Sequence, residues 1–247
     1  LYSDKNTPHD SAGNTILHYA VRGGAGKIAD KLIKSGFNGN VKNRKGETPL
    51  HIAVMVGDTS AVKSLLQECD NAANPRIQTK VETPLLIAVK SRNADIVALL
   101  CNAGASANEL YENGDTILHV AAKLGDVRVL SELLEKGSNP RAFNRSGLTP
   151  LHLAQNPAII KPLCDVGADI NAVTLLRAGS YAGLTALDIA ATEKNDEMLL
   201  ELLRCGASPN TNYFPLHFAA SKGYKHVVGI LIEKSDIDIN GFNGDGE

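Results

Sequence analysis

Apolar residues in this chain come in short helical runs, paired and separated by glycine. Between Thr116 and Gly137, Leu118, Val120 and Ala121 supply one apolar side, Gly125 interrupts, and Val127, Val129, Leu130, Leu133 and Leu134 resume at helical spacing. The pattern predicts two short helices, with Thr116 capping the first and Asp126 the second. Gly137 stops the second, because glycine accepts the left-handed backbone that closes a helix. The segment SNPRAFNRSG then turns the chain toward the next threonine.

That unit repeats. The phrase reads GNTILHYA from Gly13, GETPLHIA from Gly46, VETPLLIA from Val81, GDTILHVA from Gly114, GLTPLHLA from Gly147, GLTALDIA from Gly183 and NYFPLHFA from Asn212. Its threonines, Thr15, Thr48, Thr83, Thr116, Thr149 and Thr185, are 33, 35, 33, 33 and 36 residues apart, and Phe214 takes the seventh place. Proline follows Thr48, Thr83 and Thr149, at the first helical position, where its missing N–H costs nothing. Helices this short cannot bury their apolar faces alone, so the units must stack around one continuous core as an all-α solenoid.

The recurring G-x-TPLH-x-A-A phrase, the break, the V-V-x-L-L run and closing motifs such as Gly167-Ala168-Asp169-Ile170-Asn171 resemble the ankyrin repeat family across essentially the whole chain. The resemblance implies one array over 1–247, with repeats at about 13–45, 46–80, 81–113, 114–146, 147–182, 183–211 and 212–245. Residues 1–12 and 238–247 then read as parts of neighbouring repeats, and the array as a piece of a longer one. It further implies short β-hairpin tips projecting from the helices and a curved stack. In it, His18, His51, His119, His152 and His217 make structural hydrogen bonds between units. Leu86 and Asp188, which replace this histidine, are expected to interrupt that network.

Three places break the pattern. In the fifth unit Thr149 to Gly167 spans 18 positions, against 21 for Thr116 to Gly137, so its first helix should lose its last turn. Asn156 and Pro157 then start the second helix, and Pro162 falls inside it, predicting a local kink or a shift in stacking angle. The turns from Asp70 to Val81 and from Asn171 to Gly183 are long. Leu175 and Leu176 in the latter are candidates either to pack back on the array or to meet a partner.

Composition narrows the function by exclusion. Twenty-five basic against 27 acidic residues leave a net charge of −2, without the cationic excess that phosphate binding needs, so nucleic acid is not the expected partner. The first fifty residues carry eight basic and four acidic side chains, enough to orient a charged partner. Cys69, Cys101, Cys164 and Cys205 form no CxxC pair, and Cys101 and Cys164 sit at core leucine positions. A reducing compartment is the simpler reading, the cytoplasm, or a host cytosol if the parent is a secreted effector. No apolar run is long enough to span a membrane.

The repeated histidines cannot share a metal ion, because stacked helices lie roughly 8–10 Å apart while zinc–ligand bonds are about 2 Å. Gly23-Gly24-Ala25-Gly26 lacks a following Gly-Lys-Ser/Thr and reads as a helix break. No catalytic, cofactor or metal residues are therefore expected.

What remains is surface. If the units stack as the resemblance implies, tips and first helices line a concave groove roughly 60 Å long, suited to a partner protein or an extended peptide. The candidates at the tips are Tyr111, Phe143, Tyr181 and Phe242 with Arg44, Lys45, Glu112 and Arg145, large side chains where no core needs them. On the first helices they are Arg22, Met55, Lys90, Lys123 and Lys222. The expectation is a protein-interaction scaffold. The alternative is a targeting or regulatory segment of a larger toxin, secreted effector, channel or enzyme whose activity lies elsewhere.

Overall fold

A computed structural model describes residues 6–67, 73–76, 82–175, 178–211, 215–234 and 237. The chain forms two compact units, Leu1–Ala107 and Asn108–Glu247. The first contains three helix pairs: α1 (Ile16–Arg22) with α2 (Gly26–Lys34), α3 (Pro49–Val56) with α4 (Thr59–Leu65), and α5 (Pro84–Lys90) with α6 (Ala94–Asn102). First helices pack on first helices and second on second, so Leu50, Leu65, Leu85, Ile96 and Leu100 share one buried layer.

The second unit begins with α7 (Ile117–Leu124) and α8 (Val127–Glu135). Two 3-10 turns, Pro150–Leu153 and Pro157–Ile159, precede α9 (Ile160–Asp165). It continues with α10 (Ala186–Thr192), α11 (Asp196–Arg204), α12 (Pro215–Ser221) and α13 (Lys225–Lys234). Leu118, Leu130, Leu133, Ile159 and Ile160 are fully buried in it.

The threonine and histidine of the phrase start the first helical segment of the first, second, fourth and fifth repeats. The backbone N–H of Thr116 donates to Nδ1 of His119 at 3.1 Å, with Thr116 Oγ1 2.8 Å from the same nitrogen. Since Nδ1 accepts, the ring proton sits on Nε2, which donates to the Leu148 carbonyl at 3.0 Å. His18 reaches the Glu47 carbonyl and His152 the Ala172 carbonyl in the same way. Each ring caps its own helix; those of His18 and His119 tie it to the next repeat, and that of His152 ties it to the turn that closes its own. His51 caps with Thr48, but its buried Nε2 makes no bond of ordinary geometry.

The two substituted positions differ. At Leu86 the cross-repeat bond is lost and only Thr83 Oγ1 accepts, from the Leu86 N–H. Asp188 corrects the expectation of interruption. One carboxylate oxygen accepts from the Thr185 N–H and hydroxyl, and the other accepts from Thr211 Oγ1 at 2.6 Å. A carboxylate offers two acceptor oxygens where the imidazole offers an acceptor and a donor, so the bridge survives with a hydroxyl in place of a carbonyl.

The tips are tight turns rather than strands. Asn43 N–H donates to the Glu47 carbonyl, Tyr111 to Asp115 and Asn144 to Leu148, and the only extended pairing among the described residues is the isolated Leu110–Thr116 bridge. Gly46 and Gly147 close two of these turns at φ of 85° and 79°, a conformation that disfavours a side chain. Successive tips join through Arg44 N–H to Ala12 O in the first unit and Arg145 N–H to Asn113 O in the second.

In the fifth repeat the first helix is reduced to its 3-10 turn, and Asn156 Oδ1 caps the second by accepting from the Ala158 N–H. The kink expected from Pro162 is absorbed. The segment opens as a 3-10 turn and becomes α-helical only at Ile160, which places Pro162 third in α9. There its nitrogen is among those with no helical acceptor to lose. Cys101 and Cys164, expected as core, are half-buried, because Leu100 and Leu163 point inward instead.

Candidate protein-binding surface

The helices are fixed by their caps and core, so the surface question is which side chains the scaffold presents without needing them. At the tips, Arg44, Lys45, Glu112 and Arg145 are exposed and Phe143 is 43% exposed. Backbone bonds hold the Tyr111, Asn43 and Asn144 turns in place. Tyr111 is half-buried and its hydroxyl donates to Glu109 at 2.6 Å. Tyr181 is also half-buried, donating to Glu193 at 2.8 Å, and that carboxylate holds its phenol above the usual range. Phe242, Leu176 and most of the turn from Asp70 to Val81 lie outside the described residues. Leu175 folds back by its backbone, donating to the Gly147 carbonyl, while its side chain stays exposed.

The first-helix candidates are all exposed. Arg22, Met55 and Lys90 occupy the last turns of α1, α3 and α5 in the first unit, and Lys90 is paired with Glu82. In the second unit Lys123 lies in the last turn of α7, and Lys222 follows α12 with its ammonium 5.8 Å from the Phe218 ring centre.

The structure therefore divides the candidates rather than joining them. In the second unit the Tyr111–Glu112 and Phe143–Arg145 tips are neighbours. Phe143 further lines a cleft of about 510 Å³ with Pro140, Arg141, Ile170 and Val173. Tyr181 belongs to a separate cavity beside the shortened repeat, as does Lys123. Sequence reading missed Val173, 49% exposed, and Leu110, 72% exposed. Their signal was an apolar residue beside a tip aromatic or inside a long turn.

The titratable groups are arranged for structure. Burial drives His18 and His119 below the usual imidazole range and His51 and His152 down to about 4, so these rings are neutral near neutral pH. Burial pushes the Cys164 thiol up to about 11, which keeps it protonated and poorly nucleophilic. Among the described residues no group of three or more His, Cys, Asp or Glu side chains could hold a metal ion, and no helix is long and apolar enough to cross a membrane.

A family model described as ankyrin repeats in three copies matches residues 17–110, 85–174 and 172–243. The chain belongs to the ankyrin repeat family. Similar proteins include the chicken (Gallus gallus) nuclear factor NF-kappa-B p105 subunit, 31% identical over 88% of this chain and 23% of its own length. The mouse (Mus musculus) B-cell lymphoma 3 protein homolog is 33% identical over 76% of this chain and 44% of its own length. This chain thus spans less than half of either relative. The solved ankyrin repeat domain of Bcl-3, described as a unique member of the IkappaB protein family, superposes with a TM-score of 0.67 at 31% identity, covering 82% of this chain and 92% of that one. The human ASB11 ankyrin repeat domain, at a TM-score of 0.62 and 24% identity over 95% of this chain and 89% of that one, shares the fold.

Proposed function

We propose that this ankyrin array is a protein-interaction scaffold, holding a partner protein through its turn tips and the last turns of its first helices. The observation that carries this reading is the exposure of Phe143, Arg145 and Glu112 on turns already secured by backbone bonds. Aromatic and arginine side chains dominate binding energy once a partner buries them. Arg44, Lys45, Arg22, Met55, Lys90 and Lys222 extend the surface, and the thiols of Cys101, Cys164 and Cys205, which are in no disulfide, accord with a reducing compartment such as the cytosol. The relatives' greater length supports the companion reading that the array positions an activity encoded elsewhere in a longer parent.

The test is affinity capture from cell lysate with the unaltered chain and with a Tyr111→Ala, Phe143→Ala, Arg145→Ala variant of matched thermal stability. A protein held by the first and lost by the second identifies the partner and its site. Equal capture by both moves the site off the tips, and capture by neither defeats the scaffold reading for this chain.

A further inference from the structure

The first repeat leaves open a place that the next two repeats bury. Ile28 lies three residues beyond Ala25, the cap of α2, and is 54% exposed. Ala61 and Ile96 hold the same place in α4 and α6, three beyond the caps Asp58 and Asn93, and both are fully buried where α2 packs on α4 and α4 on α6. The approach there is close: a Cβ on Gly26 of α2 would lie 2.9 Å from the Ala61 nitrogen. Ile16 repeats the contrast on α1, being 40% exposed where Pro49 and Pro84 are buried at the starts of α3 and α5. In this architecture the element that covers the Ile28 place is therefore a helix.

We infer that this face of α2 is a docking site for an acidic amphipathic helix of a partner protein, which seats an aliphatic side chain on Ile28. Charge decides the chemistry. Lys27 and Lys31 stand one residue before and three after Ile28, exposed and in no ion pair among the described residues, while Lys34 pairs with Asp30 at 2.9 Å. The excess survives when every carboxylate is counted at full charge. Together α2 and α4 carry Lys27, Lys31, Lys34 and Lys63 against Asp30 and the Asp58 cap, a net +2, and residues 6–67 carry eight basic against four acidic side chains, a net +4. A neighbour of the repeat's own kind does not call for these charges, since the equivalent flanking places in α4, on which α2 packs, hold Ser60 and Ser64. Carboxylates on a covering helix satisfy them. Nucleic acid fits less well, because α2 and α4 offer no aromatic side chain for a base to stack on and the whole chain is at −2. A bilayer fits less well too, because Ile28 is the one large apolar side chain these two helices expose.

The probe is the fluorescein-labelled peptide Glu-Ala-Leu-Glu-Glu-Leu-Ala-Glu-Glu-Leu-Glu-Ala-amide, whose leucines share one helical face with glutamates on either side. Its anisotropy should rise saturably with this chain, and the affinity should fall as sodium chloride is added. A peptide with glutamine at every glutamate should bind at least about tenfold more weakly. Lys27→Glu with Lys31→Glu, both surface changes, should weaken the acidic peptide by a similar factor and make its lysine-substituted version the better ligand. Ile28→Ser should weaken it about tenfold, because the apolar anchor is lost. Lys222→Glu with Lys225→Glu, the same charge change in the second unit, should leave binding unaltered, and all variants should melt with the unaltered chain. Absent binding, equal binding of the glutamate and glutamine peptides, or equal losses in the two charge variants each overturns the proposal. Tighter binding of polyuridylate RNA or of phosphatidylserine vesicles, with release of the peptide, overturns it in favour of those partners. Self-association that disappears in Ile28→Ser assigns the face to a second copy and overturns it too. The inference rests on the scaffold reading, yet the two fail separately. A captured, tip-dependent partner without peptide binding removes the α2 site alone, and peptide binding without tip-dependent capture removes the tips alone.

Discussion

The fourth and fifth repeats share one opening box and diverge three residues later. Thr116 with His119 and Thr149 with His152 make the same box, and in each Nε2 lies 3.0 Å from a carbonyl, that of Leu148 in the next repeat for His119 and that of Ala172 in the closing turn of its own repeat for His152. The fourth repeat then completes an eight-residue helix ending at Gly125, whereas the fifth stops after a 3-10 turn of four residues. The difference shows that the box forms whatever the length of the helix that follows it. Length decides whether the face beyond the box is filled or left open.

The largest effect expected from breaking this comparison comes from moving the fifth repeat's proline into the fourth. Pro162 aligns with Glu132, sixth of nine residues in α8. Glu132→Pro should cost about 3 kcal/mol or more in urea unfolding, because an interior N–H is lost and the ring crowds the preceding turn. His119→Ala and His152→Ala should each cost about 2–3 kcal/mol, through lost hydrogen bonds and the cavity left by a buried ring. Their near equality is the point. A much smaller loss for His152→Ala would show that the short repeat no longer depends on its box.

Acid sharpens the comparison next. His119 and His152 have folded values below their unfolded ones, His152 falling from 6.5 to about 4. Between those values the unfolded chain binds protons that the folded chain refuses, so stability rises with pH and is lost on acidification from about 6.5 toward 4. Asp188 has the opposite sign: burial raises its carboxyl, so the folded chain binds its proton more readily and its contribution falls as pH rises. Melting temperature should therefore drop between pH 7 and 4, and more steeply in Asp188→Asn. The smallest effect belongs to Pro162→Ala, within about 1 kcal/mol of the unaltered chain, because a third helical position has no bond to restore.

Much of the fold was legible in the sequence because its determinants are local. Threonine before proline or an aliphatic residue, histidine three positions on in most repeats and glycine at several of the breaks act within one turn of the backbone, and Asp126 caps α8 as its position suggested. Asp188 was misread because the bridge depends on Thr211, 23 residues away, whose hydroxyl no local pattern brings to mind. Cys101 and Cys164 were misread because a leucine pair has two faces, and packing chose Leu100 and Leu163 for the core. The candidate surface was legible as exposure but not as grouping.

The sequence by itself determined the repeat, its caps and the loss of a turn in the fifth unit, since each follows from interactions within a few residues. Tertiary structure decided where the lost turn's space opened. Gln155 and Asn156 bond backward to Ala122 and Gly125, leaving Met198 and Ile189 to line a cavity with Lys123 at its edge. That choice depends on which neighbour offers carbonyls at the right height, and only the stacked chain supplies the answer.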